Sequence, residues 1–447
     1  MRKNINKIVA IGIGLTIMSG SIIPVFAAET TENNKNISTS ILENESNSII
    51  LSNSTINGQT TSGKQIITLD KVIAATIANS DKLALKQKEL QKYEKEIDLQ
   101  DEKDDFYKDN NLKTNNDTID DFSYDKLDLT KKQTDQSQEF LQDQIANDIT
   151  KKYNAIILMQ MEINKLKTNS EIKTKDFNTL KTKVSIGLAT SNQLTDKQIE
   201  INTLKDNITA KENSLKNKVD YLGVLSNLNL SNYTLDSTIN YNLLKIDGSI
   251  DEYLNNRIDQ YLMYNDKLIK LTDEYFHEAK DEDMDKLDYY VNKVVKPNQA
   301  DYMPTIGTDG NSVTHTTDYA LAYVSYIQQY LGAFNNYQSY LEGRYSIAEA
   351  KVKLNDSKKN LKNGLNEIYS TLLDLENQIN RLNEQIKSTN TKLKDAKTKM
   401  DIGMMTENDY KTQVLKSEDL DTLLRNLINT YNTLKNSIEK PWVLTSN

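Results

Sequence analysis

The sequence predicts an all-α chain made of two repeated, long coiled-coil helical hairpins, with β-strands absent or vestigial. Three observations predict it. The segment Lys181–Leu194 returns as Lys397–Tyr410, and Lys, Thr, Lys, Ile, Gly, Thr and Asn stand at matching places in both. Each copy ends one heptad-patterned stretch and begins another, and an internal repeat outranks other clues to architecture. Second, apolar residues before the later copy alternate spacings of four and three: Leu361, Leu365, Ile368, Leu372, Leu375, Ile379, Leu382 and Ile386, continuing to Met400 with only Thr389 polar. A sustained seven-residue repeat means left-handed coiled-coil packing. Third, no proline occurs from Ile66 to Lys296 and glycine is rare, as long uninterrupted helices require.

Taken in order, residues 1–27 read as an export signal. Arg2, Lys3 and Lys7 are followed by the apolar run Ile8–Ile17, and Val25 and Ala27 supply the small residues of a cleavage site. Residues 28–65 are rich in Ser, Thr and Asn and read as a disordered linker. The first repeat, 66–230, is expected to hold helices near 68–105, 130–186 and 190–226. The second, 249–440, is expected to hold helices near 249–280, 318–399 and 407–439. The same offset carries the heptads of the second repeat onto Ile145, Ile149, Lys152, Ile156, Met159, Ile163, Leu166, Ser170 and Lys173, and carries Tyr369 onto Tyr153.

In the return helices Leu194, Ile201, Ile208, Leu215 and Leu222 fall at strict sevens, with Tyr410, Ser417, Leu424, Tyr431 and Ile438 as counterparts. Lys197, Lys211 and Lys218 occupy seam positions of the first repeat. Two readings stand for them: a helix in a wide, water-facing assembly, or lysines that snorkel out of an ordinary bundle.

The repeated turn has legible chemistry. Gly187 and Gly403 sit where glycine closes a helix in the left-handed conformation. Thr190 and Thr406 stand where they can cap the next helix, Thr190 with Gln193 at capping-box spacing and Thr406 with Asp409 as a weaker version. Capping does not account for the apolar residues between, Leu188 with Ala189 and Met404 with Met405. They read as a docking surface or as a staple folded back on the hairpin.

The Ile-Gly-Leu-Ala-Thr and Ile-Gly-Met-Met-Thr turns, each between long coiled-coil helices, resemble those of the TolC family of efflux and secretion ducts. Ile67-Thr68-Leu69-Asp70-Lys71-Val72-Ile73, followed by Asn79-Ser80-Asp81-Lys82-Leu83, resembles that family's N-terminal opening. The resemblance covers most of residues 66–440. It implies a homotrimer whose hairpins pool into a hollow cylinder. It implies an adaptor of the membrane-fusion type meeting the glycine turns, and an energised inner-membrane pump behind the adaptor. The adaptor-docking tips would be Ile186, Gly187, Leu188, Thr190, Ile402, Gly403, Met404 and Thr406.

One departure bears on this. Family members insert two β-strands per repeat to build a barrel in the outer membrane, and a membrane strand needs about 9–11 residues of alternating apolar character. Here the first segment is acidic, with Asp117, Asp120, Asp121 and Asp125. The second, about 281–317, holds Pro297, Pro304, Gly307 and Gly310. The barrel is expected to be absent or vestigial, with the cylinder standing in the wall space or extracellularly, or in the outer membrane of a host that has one.

The remaining signals point away from chemistry. The formal net charge is −9, and loss of the basic signal makes the remainder more acidic, which argues against nucleic acid as a partner. No cysteine is present, so disulfides are excluded. No apolar stretch after the signal is long enough for a membrane helix, so no membrane-spanning segment is expected in the mature chain. The histidines, His277 and His315, form no nucleophile or zinc spacing, so the chain is not expected to be an enzyme and no cofactor or metal site is expected. The run Asp281-Glu282-Asp283 with Asp285 reads as a solvated face. Tyrosines 319, 323, 326, 330, 337 and 340 follow heptad spacing and read as a seam, or less simply as a glycan grip. The function expected is a passive duct component of an efflux or secretion system. The alternative is a secreted coiled-coil structural or adhesive cell-wall protein without transport activity.

Overall fold

The structure is a computed structural model and describes residues 64–111, 113, 116–302, 305–306, 312–313 and 316–445. The export signal 1–27, His315 and all but the end of the linker 28–65 lie outside the described residues. The elements in chain order are β1 (Gln65–Ile67), α1 (Leu69–Ala78), α2 (Asp81–Asp109), α3 (Asp117–Asp120), α4 (Phe122–Ser185), α5 (Ser191–Ser226), β2 (Tyr233–Leu235), α6 (Ile250–Asp281), α7 (Leu287–Val291), β3 (Thr305–Ile306), β4 (Ser312–Val313), α8 (Thr316–Asp401) and α9 (Glu407–Glu439). The chain is all-α with two long hairpins, α4–α5 and α8–α9.

Boundaries differ from expectation in several places, and α4 begins at Phe122 rather than near 130. The helix read over 68–105 is two helices, because the Ser80 side chain takes up an N–H of the second and the Asn79 side chain turns away to the end of α5. The Asn79 amide donates to the Leu225 carbonyl at 3.1 Å, and Ser80 Oγ accepts from the Leu83 N–H at 3.4 Å, capping α2. Gln65, the last residue of the expected linker, belongs to a strand, Gln65–Ile67, that pairs in parallel with Tyr233–Leu235.

By compactness the chain forms two units, and each draws on both sequence repeats. One unit holds residues 64–84, Glu139–Ile258 and 361–445. Its core gathers Ile67 and Val72 with Ile149, Tyr153 and Ile156 of α4, Leu222 of α5 and Leu235 of β2. The Tyr153 hydroxyl lies 3.0 Å from the Ile67 carbonyl and 2.9 Å from that of Asp236, so it ties both strands to α4. The heptad residues of α8 from Leu361 to Leu382 are all buried, Leu365, Leu372 and Ile379 completely. After β2 the backbone lies along α9. Buried Arg425 donates to the Ser237 carbonyl, Asn432 to Asn240 at 2.8 Å, and the Tyr431 hydroxyl accepts from the Leu244 N–H at 2.8 Å. Beyond α9, Trp442 stacks on Phe140 with ring centroids 4.2 Å apart and donates its indole N–H to Asp143 at 2.8 Å.

The other unit holds Leu85–Gln138 and Asp259–Asn360, the far parts of α2, α4, α6 and α8. Phe122 stacks on Tyr275 at 4.2 Å, and Phe276 meets Tyr340 edge-on at 5.5 Å. Exposed ion pairs cross between helices, such as Lys131 with Glu94 at 3.2 Å and Lys351 with Asp273 at 2.6 Å. Such pairs contribute at most about 1 kcal/mol each. Helix α6 ends in a left-handed residue, Asp283 at φ 62°, with the Met284 N–H on the Ala279 carbonyl at 2.9 Å. The acidic run is therefore partly a helix stop, and Asp283 also pairs with Lys286 at 2.6 Å.

Helix α2 runs to Asp109, and α3 begins at Asp117. Between α7 and α8 the described strands are β3 and β4, two residues each and antiparallel. At about 3.3 Å per residue neither strand approaches the span of a bilayer. Among the described residues no helix is long and apolar enough to cross a membrane either.

Candidate docking tips

The two hairpin turns are built alike, hydrogen bond by hydrogen bond. At the end of α4 the Leu188 N–H donates to the Lys183 carbonyl at 2.8 Å and the Gly187 N–H to Val184 at 3.1 Å. At the end of α8 the Met404 N–H donates to Lys399 at 2.8 Å and the Gly403 N–H to Met400 at 3.0 Å. This pairing satisfies carbonyls left over at a helix C-terminus, and it requires a left-handed residue. Gly187 and Gly403 both stand at φ 76°, and an added Cβ at either would meet nothing within 4 Å. Backbone conformation, not space, is what glycine supplies here.

The next helix is capped at once. Thr190 accepts from the Gln193 N–H at 3.3 Å, and the Gln193 side chain accepts from the Thr190 N–H at 2.9 Å. Thr406 accepts from the Asp409 N–H at 3.1 Å and donates its hydroxyl to the Asp409 carboxylate at 2.6 Å. Each turn is thus closed by its own hydrogen bonds, with the full capping box at Thr190 only.

Those side chains point outward. Ile186 and Ile402 are 63% and 64% exposed, and Leu188 and Met404 are each 74% exposed. Ala189 and Met405 are half-buried. Leu188 and Met404 therefore do not fold back on the hairpin, whereas the Met405 sulfur lies 3.9 Å from the Gln413 amide. Contacts also join the hairpins near the tips. Lys175 of α4 pairs with Glu407 of α9 at 2.8 Å, and Asn408 donates to Asp176 at 2.8 Å. Hydrogen bonds from Lys175 and Lys411 hold the Glu407 carboxyl down at about 2.

Away from the tips, α6 brings together a group that the sequence reading passed over. His277, Glu278 and Asp281 offer ligand atoms within 4.8 Å of one another. One helical turn separates His277 from Asp281, a spacing that can be read from sequence. Both are exposed, and Glu278 already accepts from Asn116 at 3.1 Å, so no enclosed metal cage results.

No family model matches the chain, and no curated protein matches it in sequence. Solved structures do. The Campylobacter jejuni CmeC outer membrane channel aligns with a TM-score of 0.51 at 14% identity, over 84% of this chain and 86% of its own. The outer-membrane channel OprN aligns with a TM-score of 0.50 at 9% identity, over 84% of this chain and 90% of its own. At such identities the likeness is one of fold. The resemblance read from the two glycine turns thus holds at that level, and both structures are channels rather than enzymes.

Proposed function

We propose that this chain, which shares the fold of outer-membrane channels, is an exported, passive duct component of an efflux or secretion system. Three copies pool their hairpins, and the tips dock an adaptor protein that links the duct to an energised pump in the inner membrane. The observation that carries this reading is the matched pair of closed turns, each presenting one aliphatic isoleucine and one fully offered Leu or Met. A turn already closed by its own hydrogen bonds gains nothing from an exposed Leu188 or Met404, whereas a partner surface would bury them favourably. The chain itself supplies no catalysis, and energy for transport comes from the pump.

The test is the double variant L188D/M404D. Neither side chain supports the turn, so helicity and melting temperature should stay unchanged. Adaptor binding should fall at least tenfold and export should be lost. Export at the parental level with the variant present would overturn the reading. It would favour a secreted structural or adhesive protein of the cell wall, a role that fits strands too short to cross an outer membrane.

A further inference from the structure

Arg425 of α9 is 3% exposed, and its guanidinium is only partly used. Nη1 donates to the Ser237 carbonyl, whereas Nε and Nη2 are buried with no acceptor among the described residues. One turn further on, the side-chain nitrogen and oxygen of Asn429 are also buried and unpaired. Residues four apart share a helix face, so both groups belong to one patch of α9. Two neighbours act on the guanidinium electrostatically, Tyr153 and Asp236, and neither completes it. The Tyr153 hydroxyl is spent on the carbonyls of Ile67 and Asp236. The Asp236 carboxylate accepts the N–H and the hydroxyl of Thr238 at 2.9 and 2.6 Å. A buried lysine can shed its proton, but an arginine stays charged. A buried charge without a partner is strongly unfavourable, and buried donors as a rule find acceptors.

We propose that Arg425 and Asn429 bind a small planar oxyanion, a free carboxylate or bicarbonate, between α9 and the backbone that follows β2. Three features select that ligand. The unused donors Nε–H and Nη2–H lie side by side on one edge of the guanidinium, the fork that takes two oxygens carried by one carbon. The patch is interior, so the ligand has few atoms. Asn429 offers both a donor and an acceptor: its nitrogen suits a carboxylate oxygen, and its oxygen suits the hydroxyl that bicarbonate retains. The bound anion neutralises Arg425 and thereby holds residues 237–244 on α9, since Nη1 already grips the Ser237 carbonyl. The site lies within one chain and away from both tips, so it does not depend on the duct reading.

Formate and bicarbonate are the probes, each titrated into the full mature chain at an ionic strength held constant with chloride. At least one should bind once per chain by calorimetry and raise the melting temperature by at least about 2 °C. Hydrogen exchange at the Leu244 N–H, which sits on Tyr431, should slow in the same titration. The probe that binds more tightly names the source, carboxylate or bicarbonate. R425K keeps the charge without the fork and should bind at least tenfold more weakly. R425M should lose binding and melt no lower than the parent without probe, because it leaves no charge to pair. Failure of both probes to bind the parent chain would overturn the proposal and leave water as the partner of these atoms. Binding that R425M retains, or an equal response to added chloride, would overturn it as well. The titration of the parent chain decides the matter even if R425M does not fold. Export unaffected by L188D/M404D would sink the duct reading and leave this site standing.

Discussion

The two hairpins share one turn and differ in their seams. In the second, the heptad positions of α8 from Leu361 to Leu382 are buried, and α9 answers with Leu424, Ile428, Tyr431, Leu434 and Ile438, none more than 4% exposed. In the first, equivalent positions carry Lys152, Ser170 and Lys173. Ion pairs there cross between the helices: Lys173 with Glu200 at 2.7 Å, Lys211 with Glu162 at 2.8 Å and Lys167 with Glu212 at 2.7 Å. Of the seam lysines of α5, Lys211 thus reaches across to a carboxylate of α4, while Ile149, Ile156, Ile163, Ile201 and Leu222 of the same hairpin stay buried. The lesson is that backbone geometry was duplicated with the turn, while packing density was not.

Substitutions can break that comparison. The largest effect is expected at a dry position: Leu372→Ala should cost about 2–5 kcal/mol, read as a lowered urea midpoint. Lys152→Ile, which writes the residue of position 368 into the first hairpin, should change stability by less than about 1 kcal/mol. It removes a pair with Asp148 at 2.5 Å and a cation–π contact with Tyr221 at 5.9 Å, both near the surface and weak. A loss comparable with that of Leu372→Ala would show the first seam to be as tightly packed as the second. Gly187→Ala and Gly403→Ala should each cost about 1 kcal/mol, and equally, because both force an L-residue to positive φ. Unequal costs would deny that the turns are equivalent.

The smallest effect is a pH dependence. Glu407 titrates at about 2 in the fold, below the ordinary carboxylate value. Its pairing with Lys175 and Lys411 therefore stabilises fully above about pH 4.5 and is lost as pH falls toward 2. Because the pair is exposed, Glu407→Gln should flatten that part of the stability profile only slightly, and less at high salt.

Periodicity made the hairpins legible. Leu361 to Leu382 lie on one stripe in sequence and on one buried stripe in space, and Gly187 and Thr190 announce their conformations by residue type alone. What could not be read joins residues far apart without any local pattern. The contacts of Tyr153 with Ile67 and Asp236, and the run of backbone 237–244 along α9, are of this kind. So is the burial of Arg425, which looks like any surface arginine of an amphipathic helix.

Trp442 meets Asp143, 299 positions earlier in the chain, and Phe140 just before it. A ribosome or an export channel delivers the earlier residue long before the later one. The start of this stretch of α4 must therefore wait, with Phe140 uncovered, until nearly the whole chain has passed. A fold closed by so late a stitch cannot complete this corner until residue 442 is present.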